Sequence, residues 1–133
     1  MAMKFHDHDL NSMLEICVKP AAAKAGFSLF TLNEDQPAGL IDNQIRAATR
    51  GSRFVIADLS HDNIGAYFEA GFGEELGRPV IYTCEQTKFS DKKTHFDTNH
   101  MVTVMWSSDE PEIAGKLLTA TILSTIPEDA KFD

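Results

Sequence analysis

The sequence predicts a single α/β domain with a parallel sheet, three layers deep and five strands wide, wound in the flavodoxin-like (Rossmann-like) manner. Three observations lead there. Short apolar runs such as Phe54, Val55, Ile56 and Ala57 lack alternation, as expected of strands buried on both faces of a parallel sheet. These runs alternate with stretches of helical periodicity, which requires right-handed crossovers and helices on both faces. Finally, the 133 residues, 43% of them hydrophobic, suit one core of ordinary size and leave no room for two.

The elements follow in order. A short first strand lies near residues 1–5. Asp9 is placed to cap a helix whose apolar positions Leu10, Met13, Leu14, Cys17 and Val18 recur at helical spacing. Pro20 should kink or restart that helix, and Gly26 should end it. Residues 27–32 read as a strand and 33–39 as a turn. Leu40, Ile41, Ile45 and Ala48 give the next helix one apolar stripe, with Gly51 as its stop.

Asp58 ends the strand that begins at Phe54, and a polar loop leads to a helix over residues 66–76, closed by Gly77. Residues 79–84 and 102–106 read as further strands, separated by a long polar loop over 85–100. The closing helix, over 111–126, is expected to turn Ile113, Leu117, Leu118, Ile122 and Leu123 inward. In such sheets ligands bind beyond the carboxyl ends of the strands, at the point where the winding reverses. The loops after Phe5, Leu32, Asp58 and Cys84 would open there.

Composition narrows the function classes. Twenty acidic residues against twelve basic give a formal net charge of -8, and the basic residues are scattered. Duplex nucleic acid, which needs a concentrated cationic surface, is disfavoured as a partner. Cys17 and Cys84 have neither metal nor redox spacing, which fits a reducing, cytoplasmic setting. No apolar run approaches the length of about 18 residues needed to span a membrane, and polar residues 6–9 stand where a signal peptide would be apolar. No cofactor or metal is implied: His6, Asp7, His8 and Asp9 make no compact ligand set, and a solvated helix start accounts for them.

The most informative stretch runs from Asp58 to Gly73. Glu69 falls in the early turns of a helix, and Gly65, Gly71 and Gly73 allow close approach of backbone to ligand or of helix to sheet. Asn63, six residues earlier, is positioned to reach sugar hydroxyls or orient the carboxylate. A carboxylate here can stabilise or bond to an oxocarbenium-like sugar carbon. The plain alternative is an acidic residue favoured near a helix N-terminus by the macrodipole. Asp58 is the second candidate, with capping of its own loop as the alternative. Arg46, Arg50 and Arg53 are candidates to bind phosphate or to remain solvated near the helix end. His95, Asp97 and His100 lie on the long loop, where a histidine is a candidate to protonate a leaving base; a loop held by local hydrogen bonds is the alternative. Cys84 reads as an apolar filler and Trp106 as core or interface.

The run Ile56, Ala57, Asp58, Leu59, Ser60, then Asn63, then Tyr67, Phe68, Glu69, Ala70, Gly71, Phe72, then Gly77, Arg78, Pro79, Val80, Ile81 resembles the nucleoside 2-deoxyribosyltransferase superfamily. The likeness extends to Gly39, Ile41 and Ile45 upstream and to His95, Phe96, Asp97, Asn99, His100 and Trp106 downstream. The downstream element favours the branch of TIR-like nucleotide-binding domains. The resemblance implies that Glu69 is a nucleophile forming a glycosyl-enzyme intermediate and that Asn63 contacts the sugar. Asp58, Gly65 and His95, by their places near the ligand edge, are candidates to line a nucleoside or nucleotide pocket. The resemblance adds Phe5, on the first strand that supplies pocket residues, and Asn99, since related enzymes complete the pocket with a polar residue from a neighbouring subunit of a homo-oligomer. Classical transferases usually carry Asp at the position of Asn63, and an amide there cannot act as a base. The family's first strand is also longer, so this chain is either a domain from a longer protein or one with a short first strand. The activities implied are cleavage of an N-glycosidic bond or deoxyribosyl transfer. A nucleotide-binding sensor without turnover and a TIR-type NAD hydrolase are the alternatives.

Overall fold

The computed structural model describes residues 1–4, 7–31, 41–61, 64–90 and 102–128. The first helical stretch comprises α1 (His8–Met13), a π-helical turn (Leu14–Val18) and α2 (Lys19–Lys24). Its N-cap is Asp7, whose Oδ1 accepts from the Leu10 N–H at 2.9 Å, so the expected cap at Asp9 is corrected by two residues. Asp9 lies within the first turn, where its charge complements the helix dipole. Pro20 does not break the helix. Its ring would meet the carbonyl four residues back, and the backbone widens just before it, so that Lys19 N–H donates to Leu14 O. Gly26, at φ 95°, closes the stretch, with Gly26 N–H donating to Ala23 O and Phe27 N–H to Ala22 O.

The remaining elements are α3 (Ile41–Gly51), β1 (Val55–Asp58), α4 (Ile64–Glu75), β2 (Val80–Glu85), α5 (Gln86–Ser90), β3 (Thr103–Trp106) and α6 (Pro111–Thr125). The strands pair in parallel in the order β1-β2-β3, with Ile56 opposite Ile81 and Thr83 opposite Val104. Among the described residues the expected five-stranded, flavodoxin-like sheet is therefore not formed. The sheet has three strands there, in sequential order, with no reversal of winding among them. Ala2 makes an isolated parallel bridge to Ala57, donating to Ile56 O at 2.7 Å and accepting from Asp58 N–H at 2.9 Å. Asp7 already caps a helix, and among the described residues the bridge made by Ala2 is not continued as a ladder. Residues 27–31 are irregular rather than a strand, although Phe30 O accepts from the Met1 amine at 2.7 Å.

Period-two alternation divides the strands between two cores. Ile56, Ile81, Val104 and Trp106 face a large cluster built with Leu10, Met13, Cys17, Leu118 and Ile122. Ala57 and Tyr82 face the other way, against Ala66 and Ala70 of α4. In α6 the buried stripe is Ala114, Leu118 and Ile122; Ile113 and Leu117, expected inside, are about half exposed. The small Ala114 and Gly115 let α6 approach the first helical stretch, where a Cβ at Gly115 would lie 3.7 Å from Cys17 Sγ. The stretch expected to be loop from residue 85 instead begins with α5.

Asp58 joins all three strands. Its carboxylate accepts from Ser60 N–H at 3.0 Å, from the Thr83 hydroxyl at 2.7 Å and from Trp106 Nε1–H at 2.8 Å. The group is 2% exposed, and these three donors, from the loop after β1, from β2 and from β3, compensate its burial. Ser60 Oγ in turn accepts from Glu85 N–H at 2.7 Å, extending the network along the carboxyl edge of the sheet.

Replacing Asp58 by Ala strands three donors in an apolar setting, each costing about 1–3 kcal/mol. Asp58→Ala is expected to lose about 3–5 kcal/mol in urea unfolding followed by the fluorescence of Trp106, the sole tryptophan. Asp58→Asn is expected to lose less, because its remaining carbonyl still accepts. A loss below about 1 kcal/mol for Asp58→Ala would contradict the role assigned to the network.

Candidate active site

Helix α4 packs through a stripe of small residues. Ala66 and Ala70 lie on the sheet, and a Cβ at Gly73 would come within 3.1 Å of Val55 Cγ2 and 3.3 Å of Val80 Cγ2. Glycine at 73 thus sets how closely α4 approaches β1 and β2. At 100° per residue, Glu69 lies about 60° to one side of this stripe, on the flank of α4 rather than on its outer face. Phe68 occupies the outer face and is half exposed.

From that flank Glu69 helps to line a pocket of about 210 Å³. Its other walls are the end of α3, through Ala48 and Thr49; residues 51–55, including Arg53 and Phe54; and residues 27–30 with Met1. Phe27 and Phe54 pack edge to face at 5.2 Å beneath it. Thr49 and Ser52 turn their hydroxyls inward along α3, donating to Ile45 O and Ala48 O at 2.7 Å each. The Glu69 carboxyl is consequently poorly hydrated. Burial pushes its pKa up from the usual 4.5 to about 7, and the nearby N-terminal ammonium opposes part of that rise.

The pocket flanks the amino end of β1, beside Phe54 and Val55, whereas Asp58 stands at the carboxyl end, three residues or about 10 Å further along. The structure therefore does not bring Glu69 and Asp58 into one site. Asp58 is consumed by its three donors and belongs to the frame. Gly65 is exposed on the first turn of α4 and is not part of the pocket lining. Asn63, Phe5, His95 and Asn99 lie outside the described residues, as do Asp97 and His100. Of the three arginines considered for phosphate, Arg53 lines the pocket; Arg46 and Arg50 are exposed on α3. Thr49, Ser52, Ser28 and Phe30 are wall residues that sequence reasoning did not single out. No local motif marks them, since they meet only when α3 and residues 27–30 converge on β1.

At the carboxyl edge His61 Nε2 lies 3.2 Å from Asp7 Oδ2, tying the loop after β1 to the N-cap of α1. Cys84 is wholly buried at the end of β2, and burial pushes its thiol up to about 12, which suits a filler rather than a nucleophile. Among the described residues no group of His, Cys, Asp and Glu is arranged to hold a metal ion, and no helix is long and apolar enough to cross a membrane.

The raised Glu69 value fixes a sign. Between 4.5 and about 7 the folded protein binds more protons than the unfolded chain, so this group's contribution to stability is full below 4.5 and is lost as pH rises through 7. Glu69→Gln should remove that slope. Thermal melts at pH 5 and pH 8 are expected to differ less for the variant than for the parent, with the variant the more stable at pH 8. Parallel pH profiles for the two proteins would contradict a desolvated carboxyl.

Compared with models of known protein families and with curated proteins, the chain matches none.

Proposed function

We propose that the chain cleaves the N-glycosidic bond of a nucleoside or nucleotide, with Glu69 as the nucleophile toward the anomeric carbon. One observation carries the reading: a single carboxyl stands on the wall of a sugar-sized hollow, desolvated enough to titrate near neutral pH. The volume, about 210 Å³, is below the usual 300–1,000 Å³ of sites that enclose drug-sized ligands, so it suits a pentose with its substituents at the rim. The resemblance of the surrounding segment to nucleoside 2-deoxyribosyltransferases supports the same chemistry.

In this mechanism the ionised Glu69 attacks C1′ as the C1′–N bond breaks, and the departing base takes the bonding electrons and a proton from solvent. A glycosyl ester on Glu69 results. Water hydrolyses it, regenerating the carboxylate, or a second base accepts the sugar. In a poorly hydrated pocket the carboxylate is held for the cationic transition state with little water to reorganise. Arg53 on the pocket wall adds a cation that supports a phosphorylated sugar as substrate.

The test is release of free base, followed by chromatography, from deoxynucleosides, their 5′-monophosphates and NAD. Only the ionised nucleophile reacts, so kcat/KM is expected to rise with pH to a plateau above about 7. Glu69→Gln should reduce it by at least about a hundredfold. Base release that survives Glu69→Gln would remove the nucleophile assignment. Nucleotide binding without release of base from any of these would favour a sensor module.

A further inference from the structure

We propose that Arg78, which stands outside the pocket, is a positioning residue that sets the pocket's width by strapping the carboxyl end of α3 to the turn after α4. The two pocket walls concerned are separate helices. Glu69 projects from α4, and Thr49, Ala48 and Ser52 face it from the end of α3.

The α4 side of the strap is rigid. Gly77, at φ 70°, takes the left-handed conformation that ends α4, with Gly77 N–H donating to Glu74 O and Arg78 N–H to Gly73 O, both at 2.9 Å. Gly73 itself is seated between Val55 and Val80. On the other side of Arg78, Pro79 has its φ fixed by its ring, and its carbonyl accepts from Val55 N–H at 2.9 Å. The backbone of residue 78 is thereby locked to α4 and to the first residues of both β1 and β2.

From this fixed base the guanidinium reaches across, and Nη2 donates to Arg50 O at 2.9 Å, in the last turn of α3. A cation on the terminal carbonyls of a helix also meets the negative end of its dipole. Arg78 Nε is buried and finds no acceptor among the described residues. A buried donor without a partner is unfavourable, and the bond from Nη2 to Arg50 O favours the pose against that cost. Without the strap, the end of α3 is free to move away from α4 and water enters beside Glu69.

The inference rests on the geometry of the pocket, and its readout is a titration, so it stands or fails independently of whether any base is released. The experiment is a 13C NMR titration of glutamate-labelled protein, with the Glu69 carboxyl assigned by its disappearance in Glu69→Gln. In Arg78→Ala the midpoint is expected to fall from about 7 to below about 6, with the far-UV circular dichroism unchanged. Arg78→Lys, which keeps a cationic donor on a flexible stem, is expected to fall between Ala and the parent. A midpoint that stays near 7 in folded Arg78→Ala overturns the proposal. Should Arg78→Ala not fold, Arg78→Gln, too short to span the gap, takes its place under the same two outcomes.

Discussion

Three donors from three segments converge on the Asp58 carboxylate, and the arrangement of the molecule follows from that convergence. A narrow parallel sheet has few ladder bonds to hold its strands in register. Here Thr83 on β2 and Trp106 on β3 both bind an acceptor at the end of β1, which fixes the three strand ends relative to one another. Ser60, bound to Asp58 on one side and to Glu85 on the other, then fixes the start of the loop that leads to α4. The carboxylate is buried, and its oxygens already accept three hydrogen bonds from within the protein. Its value to the protein is rigidity at the end of the sheet.

The position of Glu69 is set by the packing along the length of α4. Ala66, Ala70 and Gly73 bring the helix down onto β1 and β2, and this close approach places the next flank of the helix against α3 and the segment before β1. A carboxyl carried there is withdrawn from water without being paired by a described hydrogen bond. Burial without compensation is what raises its pKa, and the same condition suits a group that must meet a developing positive charge. Frame and site thus divide the acidic residues between them: Asp58 is buried and satisfied, Glu69 is partly buried and poised.

Features governed by local chemistry were legible in the sequence. The run from Phe54 to Ala57 gives a buried strand, Gly26 and Gly77 end their helices in left-handed conformations, and Glu69 falls on α4. What failed depended on partners distant in the chain. Residues 27–32 have strand composition, but the described part, 27–31, is irregular, and among the described residues the sheet has three strands. Ile113 and Leu117 fit an apolar helical stripe as well as Ala114 does, and only the close packing of α6 against Cys17 selects the smaller residue. Asp58 was open to either role because its decisive partner, Trp106, lies 48 residues away. The pocket walls were invisible for the same reason: Thr49, Ser52 and Phe30 carry no spacing that relates them to Glu69.

The claim that residue 69 bonds covalently to a sugar carbon can be put to a direct chemical measurement. A 2-deoxy-2-fluoro nucleoside slows hydrolysis of a glycosyl ester by destabilising the cationic transition state that releases it. Incubation followed by peptide mass spectrometry is expected to show the mass of the fluorinated sugar on the peptide containing Glu69, together with one equivalent of free base. Release of base with the sugar attached to another residue, or with no attachment at all, would contradict the account.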